Sequence, residues 1–346
     1  MTDNQQSQYN RQIAYWLIFV CATVFIMLVI GGATRLTHSG LSMMTWDPLM
    51  GWIPPLTEAA WLESFAHYKK IPEFYELNPD MNLEGYKGIF LLEYVHRVWG
   101  RLIGLFFLLP FLYFLFAGKV SKPLRLPLVF MFVLGGMQGV MGWYMVSSGF
   151  DGPFVSQYRL TAHLMAAFAI FAYMFWVAIG LLYPRNEASL YDVGPLRRVM
   201  AWFTLLITIT IAAGGFVAGL KAGFVYNTFP LMDGHFIPEG YILFEPFYRN
   251  FFDNMAAVQF NHRLLAEFVL LALIAVWFYA RKFDLVGSAR TGMNLLLLLG
   301  VIQFSLGVAT LLLGVPVALG VAHQGGAMLL FAAALFTLRM LRSAND

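Results

Sequence analysis

Apolar residues in this chain come in long, nearly unbroken runs, not in the three-to-four spacing of a half-buried helix or the alternation of a half-buried strand. Eight runs reach the roughly 20 residues that a membrane-crossing helix needs. They cover roughly 12–34, 90–116, 125–147, 159–182, 197–219, 257–280, 293–313 and 317–338. The first begins near Ile13, too long for a signal-peptide core and with no small-residue cleavage site after it, so a retained helix is expected; no transit peptide is visible. The links after the second, fourth and sixth runs hold Lys119, Lys122, Arg125, Arg185, Arg197, Arg198, Arg281, Lys282 and Arg290, and the termini add Arg11, Arg339 and Arg342. If every run spans, these cations share one side, which the positive-inside rule makes cytoplasmic, with both termini there. The long links 35–89 and 220–256 then face outward, rich in acids and aromatics.

Composition agrees with that pattern. Of 346 residues 60% are hydrophobic and 12% charged, about half the charge of a soluble domain. A net charge of +3 argues against nucleic acid as a partner. The single cysteine, Cys21, excludes a disulfide framework and a cysteine-based zinc or iron–sulfur site within one chain.

The chain also repeats itself. Gly31-Gly32, Gly40, Thr45, Pro48-Leu49-Met50, Gly51 and Ile53-Pro54 recur in order as Gly214-Gly215, Gly223, Thr228, Pro230-Leu231-Met232, Gly234 and Ile237-Pro238. His96-Arg97 matches His262-Arg263, Gln138 and Gly142 match Gln303 and Gly307, and Ala162-His163 matches Ala322-His323. Four helices per copy make the copies parallel, which weakens an inverted-repeat transporter reading. The expected fold is an all-α integral membrane protein, eight transmembrane helices as two parallel pseudo-symmetric four-helix bundles, residues 1–190 and 191–346.

Four of the seven histidines, His96, His163, His262 and His323, are expected in the first turns of the second, fourth, sixth and eighth spans, at similar depth near the outer face. The repeat pairs His96 with His163 and His262 with His323. A lone histidine near a helix end is usually an interfacial hydrogen-bonding residue; four in repeat-related pairs favour iron ligation, because ionisable groups in a span are costly. Two imidazoles from facing helices are what six-coordinate haem iron takes. Zinc or copper would recruit a third ligand, and no cysteine or suitable carboxylate recurs in both halves. Haem propionates need cations, and Arg35, Arg97, Arg159 and Arg263 are the candidates, bidentate guanidinium suiting the task; snorkelling to headgroups is the alternative. Gly100, Gly104, Gly135, Gly136, Gly139, Gly325 and Gly326 would let a flat macrocycle approach backbone, or simply let helices pack.

Where the copies differ, chemistry is expected. Three residues before His96 stands Glu93; three before His262 stands Gln259. That spacing puts Glu93 on the face of His96, where a carboxylate can take a proton or stabilise developing positive charge. The first half would then be the chemical site and the second a haem that passes electrons; the alternative is that Glu93 simply pairs with Arg97. His38, His67 and His235 read as solvated loop residues, and the aromatic segments Trp46 to Trp52 and Phe224 to Phe236 as caps over the two sites.

Glu93-Tyr94-Val95-His96-Arg97, Ala162-His163, Asn261-His262-Arg263 and Ala322-His323-Gln324 together resemble the haem A synthase family, its proteobacterial and mitochondrial branch, over nearly the whole chain. The resemblance implies oxidation of a porphyrin methyl of haem O, through successive hydroxylations, to the formyl group of haem A for cytochrome oxidase. It implies that His96 and His163 flank the substrate haem, that Glu93 assists, and that His262 and His323 hold a haem b cofactor. Implied partners are haem O synthase, cytochrome oxidase assembly factors and an unidentified electron acceptor, with a homo-oligomer permitted. The implied location is the bacterial inner (plasma) membrane, with the haem sites near the periplasmic face. Loop cysteine pairs of another branch are absent here, so no thiol mechanism applies. Two rivals remain: a dihaem b-type electron-transfer cytochrome, in which Glu93 has no role, and a haem transporter or chaperone, which would release haem unchanged. Spacing alone leaves enzyme and cytochrome near parity.

Overall fold

A computed structural model of the chain describes residues 3–45, 51–150, 152–184 and 192–342. Among them are eleven α-helices: α1 (Asp3–Leu36), α2 (Glu58–Tyr68), α3 (Pro72–Leu77), α4 (Leu83–Phe116), α5 (Lys122–Ser147), α6 (Gln157–Leu182), α7 (Gly194–Leu220), α8 (Asn250–Asp253), α9 (Met255–Ala280), α10 (Gly287–Leu312) and α11 (Val317–Met340). The only β feature among the described residues is a bridge between Met232 and His235. Eight helices, α1, α4 to α7 and α9 to α11, are long and apolar enough to cross a membrane. The fold is all-α, and the chain is a multi-pass membrane protein. Leu109, Tyr113, Phe116, Leu126, Trp202 and Leu298 lie outward and exposed, a surface that lipid tolerates and water does not.

The apolar runs locate the eight helices but understate some of them. The second span begins at Leu83, not near residue 90, because Asn82 caps α4 by accepting the amide of Gly85 at 2.9 Å. Its opening turns carry Glu84 and Lys87, which a hydropathy reading passes over. Likewise α10 starts at Gly287, ahead of 293, its first turn holding Ser288 and Arg290. Asn254 caps α9 through the amides of Ala256 and Ala257. The first outer link contains helices that no apolar run announced, α2 and α3. With the start of α4 they enclose an aromatic cluster of Phe65, Tyr68, Phe74, Tyr86 and Phe90. The fully buried Tyr86 ring stacks on Phe65 and Tyr68 at 5.0 and 5.3 Å. Burial and the neighbouring Glu73 carboxylate push the Tyr68 hydroxyl well above its ordinary pKa, and Tyr68 Oη donates to Glu73 at 2.9 Å.

The chain divides into two compact units, Ala22–Ile170 and the combination of Met1–Cys21 with Phe171–Asp346. His96 and His163 belong to the first, His262 and His323 to the second. In the second unit α7, α9, α10 and α11 make a ring of close neighbours, α7 on α9, α9 on α10, α10 on α11 and α11 on α7. In the first, only α4 and α5 of the long helices approach each other comparably closely among the described residues, with α2 against α4.

Candidate functional site

The four histidines lie deeper in their helices than the first-turn position expected of them. His96 is more than three turns inside α4, and His163, His262 and His323 are about two turns inside α6, α9 and α11. The capped starts of α4 and α9, ahead of their apolar runs, account for the difference at His96 and His262, whereas α11 begins at Val317 with its run. His96 and His163 lie within electrostatic reach of one another, and so do His262 and His323.

Each imidazole rests against a glycine of another helix. A Cβ on Gly142 would stand 3.2 Å from His163 Cε1, one on Gly214 3.0 Å from His262 Cε1, and one on Gly307 2.8 Å from His323 Cε1. His96 is the exception in orientation, since a Cβ on Gly31 would meet its Nε2, at 3.2 Å. These four glycines are two repeat-related pairs, Gly31 with Gly214 and Gly142 with Gly307. A side chain in any of these places would occupy the room the ring takes.

The partners of the rings differ. His262 Nδ1 faces the Thr210 carbonyl at 3.2 Å. A carbonyl only accepts, so Nδ1 carries the proton and Nε2 keeps the lone pair that a metal takes. His323 Nδ1 has Gln303 Nε2 at 3.1 Å. His163 Nδ1 is buried with no hydrogen-bond partner.

Glu93 is buried and surrounded by donors. Its Oε1 accepts from Arg97 Nε at 3.0 Å and Nη2 at 2.5 Å, and its Oε2 from Ser42 Oγ at 2.7 Å and the Met43 amide at 2.8 Å. All four lone-pair positions of the carboxylate are in use, so one donor has to leave before Glu93 takes a proton. The geometry suits charge stabilisation better than proton abstraction, and the expected pairing with Arg97 is present as well. Gln259, equally buried, donates Nε2 to the Tyr226 carbonyl at 2.9 Å, and its Oε1 has no partner. Met43 and Tyr226 hold the same place in the two repeats. Both halves thus tie the outer link to the histidine helix there, one through an anion and one through an amide. Ser42, which earned no role from sequence, has a readable signal: the second repeat carries Val225 at that place.

The four arginines separate into two classes. Arg97 also donates Nη1 to Thr45 O at 2.7 Å and Nη2 to Met43 O at 2.9 Å, which leaves it little for another anion. Arg159 donates to Tyr144 O at 2.8 Å and lies 3.8 Å over the Tyr144 ring, securing the end of α5. Arg263 spends Nη2 on Pro230 O at 2.9 Å, while its Nη1 is buried with no partner. The Arg35 guanidinium makes no hydrogen bond or ion pair among the described residues. Arg35 and Arg263 are therefore the two with donors to offer a propionate.

These features fit haem. Among the described residues no three or more of His, Cys, Asp and Glu gather as ligands, so each pair offers two imidazoles, the axial complement of an iron that takes four nitrogens from a porphyrin. A buried cationic donor stands unpartnered one residue from His262. A Cβ on Gly104, Gly135, Gly136 or Gly139 would meet nothing within 4 Å, whereas Gly100 lies under Met27. His67 and His235 are exposed and His38 is half-buried near Phe154, outside both pairs. Of the two aromatic caps expected, residues 46–50, with the first Pro-Leu-Met run, lie outside the described residues, as does Arg185. In the other, Phe229 meets Phe304 at 6.1 Å and lies under Arg263.

Comparison with known proteins adds the following. A family model described as cytochrome oxidase assembly protein, COX15-CtaA, matches residues 14–335. A protein of Nitrosospira multiformis named "Heme A synthase" is 51% identical over 341 residues, covering 98% of this chain and 96% of the relative. One of Paramagnetospirillum magneticum with the same name is 45% identical, covering 96% and 94%. "Heme A synthase COX15" of Arabidopsis thaliana is 41% identical, covering 97% and 76%.

Proposed function

The chain belongs to the COX15-CtaA family of cytochrome oxidase assembly proteins, and on that premise we propose that it is a haem A synthase, an oxidoreductase converting haem O to haem A. One porphyrin methyl is oxidised to the alcohol and then to a gem-diol, which loses water to leave the formyl group. In each oxidation a C–H bond gives way to a C–O bond whose oxygen comes from water, two protons are released, and two electrons pass to an acceptor outside the chain. A resident haem, haem b in our reading, supplies one-electron redox chemistry when bound.

What supports the reading is that His96 lies within electrostatic reach of His163 and His262 of His323, while the buried Glu93 on the helix of His96 has Gln259 as its repeat counterpart on the helix of His262. We assign residues 1–190 to the substrate site and 191–346 to the cofactor site. His96 and His163 flank the substrate, the ring of His96 lying with Nε2 toward Gly31. Glu93, held by four donors, stabilises positive charge at the methyl being oxidised. Arg35 offers a cation to the substrate's propionates and Arg263 to those of the cofactor, whose iron His262 and His323 hold. We place the protein in the bacterial inner membrane with both termini cytoplasmic and the haem sites toward the periplasmic face, working beside haem O synthase and oxidase assembly factors.

The test is chromatography of haems extracted from a host without its own haem A synthase that expresses this chain together with a haem O synthase. Haem A is the expected product. Haem O alone, with two b haems at full occupancy in the purified chain, would establish an electron-transfer cytochrome in its place.

A further inference from the structure

We infer that Gln303, and in the other half its repeat counterpart Gln138, is a positioning residue that holds the orientation of the histidine opposite it, His323 or His163, and accepts its Nδ1–H once the ring is on iron. The inference rests on the proposed role of those histidines as iron ligands.

The two glutamines occur in one local pattern, Gln138-Gly139-Val140-Met141-Gly142 on α5 and Gln303-Phe304-Ser305-Leu306-Gly307 on α10. A spacing of four puts glutamine and final glycine on the same helical face. The glycine admits the ring edge, as the 3.2 Å and 2.8 Å approaches to Cε1 record. The glutamine, one turn earlier, closes the seat from the other side. In both copies its Nε2 donates to the backbone carbonyl of the seated histidine at 2.9 Å. In the second copy Nε2 is also 3.1 Å from the ring nitrogen, His323 Nδ1.

Imidazole chemistry decides what the amide is for. A neutral ring that gives its Nε2 lone pair to a metal carries its proton on Nδ1. Buried away from water, that N–H needs an acceptor or loses its full solvation. Oε1 of Gln303 and Oε1 of Gln138 are both buried without a partner, and so is Nδ1 of His163. A rotation of the amide that brings Oε1 to Nδ1 gives up the Nε2 bond to the histidine's backbone carbonyl, so the two arrangements exclude each other. With the ring bare, Nε2 donates to Nδ1; with Nε2 of the ring on iron, Oε1 accepts from Nδ1–H. His262 needs no such residue, because the Thr210 carbonyl already selects its tautomer. Partners of this kind, one bond removed from the metal, orient the ligand and raise its basicity.

The full-length chain is purified in detergent after expression with ample haem, and the resident haem is followed by its low-spin electron paramagnetic resonance signal and its midpoint potential. Gln303→Leu removes the acceptor at nearly constant volume; Gln303→Glu replaces it with a stronger one. We expect haem retention to fall about 10- to 100-fold in Gln303→Leu, with a raised potential in what remains. Gln303→Glu should keep the haem and lower its potential below wild type. Opposite shifts from two similar-sized side chains cannot come from loosened packing, and Gln138→Leu should leave this haem unchanged. Wild-type potential and spectrum in both Gln303 variants would overturn the inference. His323→Ala separates the levels: if it loses the resident haem while both Gln303 variants behave as wild type, the positioning role alone is wrong. If it keeps a wild-type haem, the ligand assignment beneath it fails.

Discussion

The two units carry the same frame of paired histidines and seating glycines, yet they differ in room and in charge. In Ala22–Ile170, Cβ atoms added at Gly104, Gly135, Gly136 and Gly139 would meet nothing. The repeat-equivalent places in the other unit are Leu270, Gly300, Val301 and Phe304, where a Cβ on Gly300 would run into Leu273. Among the described residues the helices follow suit, a closed ring of neighbours in the second unit and, of the long helices in the first, one close pair. Charge differs in the same direction, with the Glu93 carboxylate of the first unit replaced by an amide at Gln259. On the proposed reading, room and a carboxylate are kept where a bulky molecule would enter, react and leave, and tight walls without charge would suit a permanently held group.

Four outcomes would break or sharpen that contrast, the largest effect first. His262→Ala and His323→Ala should abolish the absorption spectrum of the resident haem, while His96→Ala and His163→Ala leave it in place; a normal spectrum in either of the first two would reverse the assignment of the units. Glu93→Gln gives the first unit the side chain of the second. It should keep haem binding and reduce haem A formation on the order of 10²- to 10⁴-fold, read by chromatography of extracted haems; an undiminished yield removes Glu93 from the chemistry.

Gly139→Phe builds the Phe304 wall into the roomy unit. Overpacking of about 1–3 kcal/mol predicts a roughly 10- to 100-fold rise in KM for haem O, with the resident haem spectrum unaltered. An unchanged KM would mean that substrate does not use this face. Arg263→Gln removes a buried cationic donor, and a charge-assisted hydrogen bond of about 1.5 kcal/mol predicts roughly tenfold weaker haem retention. Arg159→Gln, whose donors serve the end of α5, should leave retention untouched, and equal losses in both variants would erase the distinction between the two classes of arginine.

Several levels were legible from sequence alone. The eight membrane helices, the ordered recurrence of residues and the contrast of Glu93 with Gln259 all follow from apolar run length and from order along the chain. Those signals sum over local stretches and need no knowledge of neighbours. The starts of α4 and α10 escaped because caps and polar first turns, not hydropathy, decide where a helix begins. The first-turn placement of His96 and His262 failed for the same reason. Arg97 and Arg263 each directly follow a histidine of the repeat, yet one is saturated and the other keeps a buried donor.

What sequence determined by itself was the inventory: which segments enter the membrane, which residues recur, and where the two copies part company in charge. Tertiary structure alone decided the engagements: the four donors around Glu93, the Nε2 edge of His96 lying on Gly31, and the glutamine and glycine that seat His163 and His323. The physical reason is rotation. A helix turns about 100° per residue, so which side chain meets which depends on how neighbouring helices are rolled and crossed, and no single run of residues carries that information.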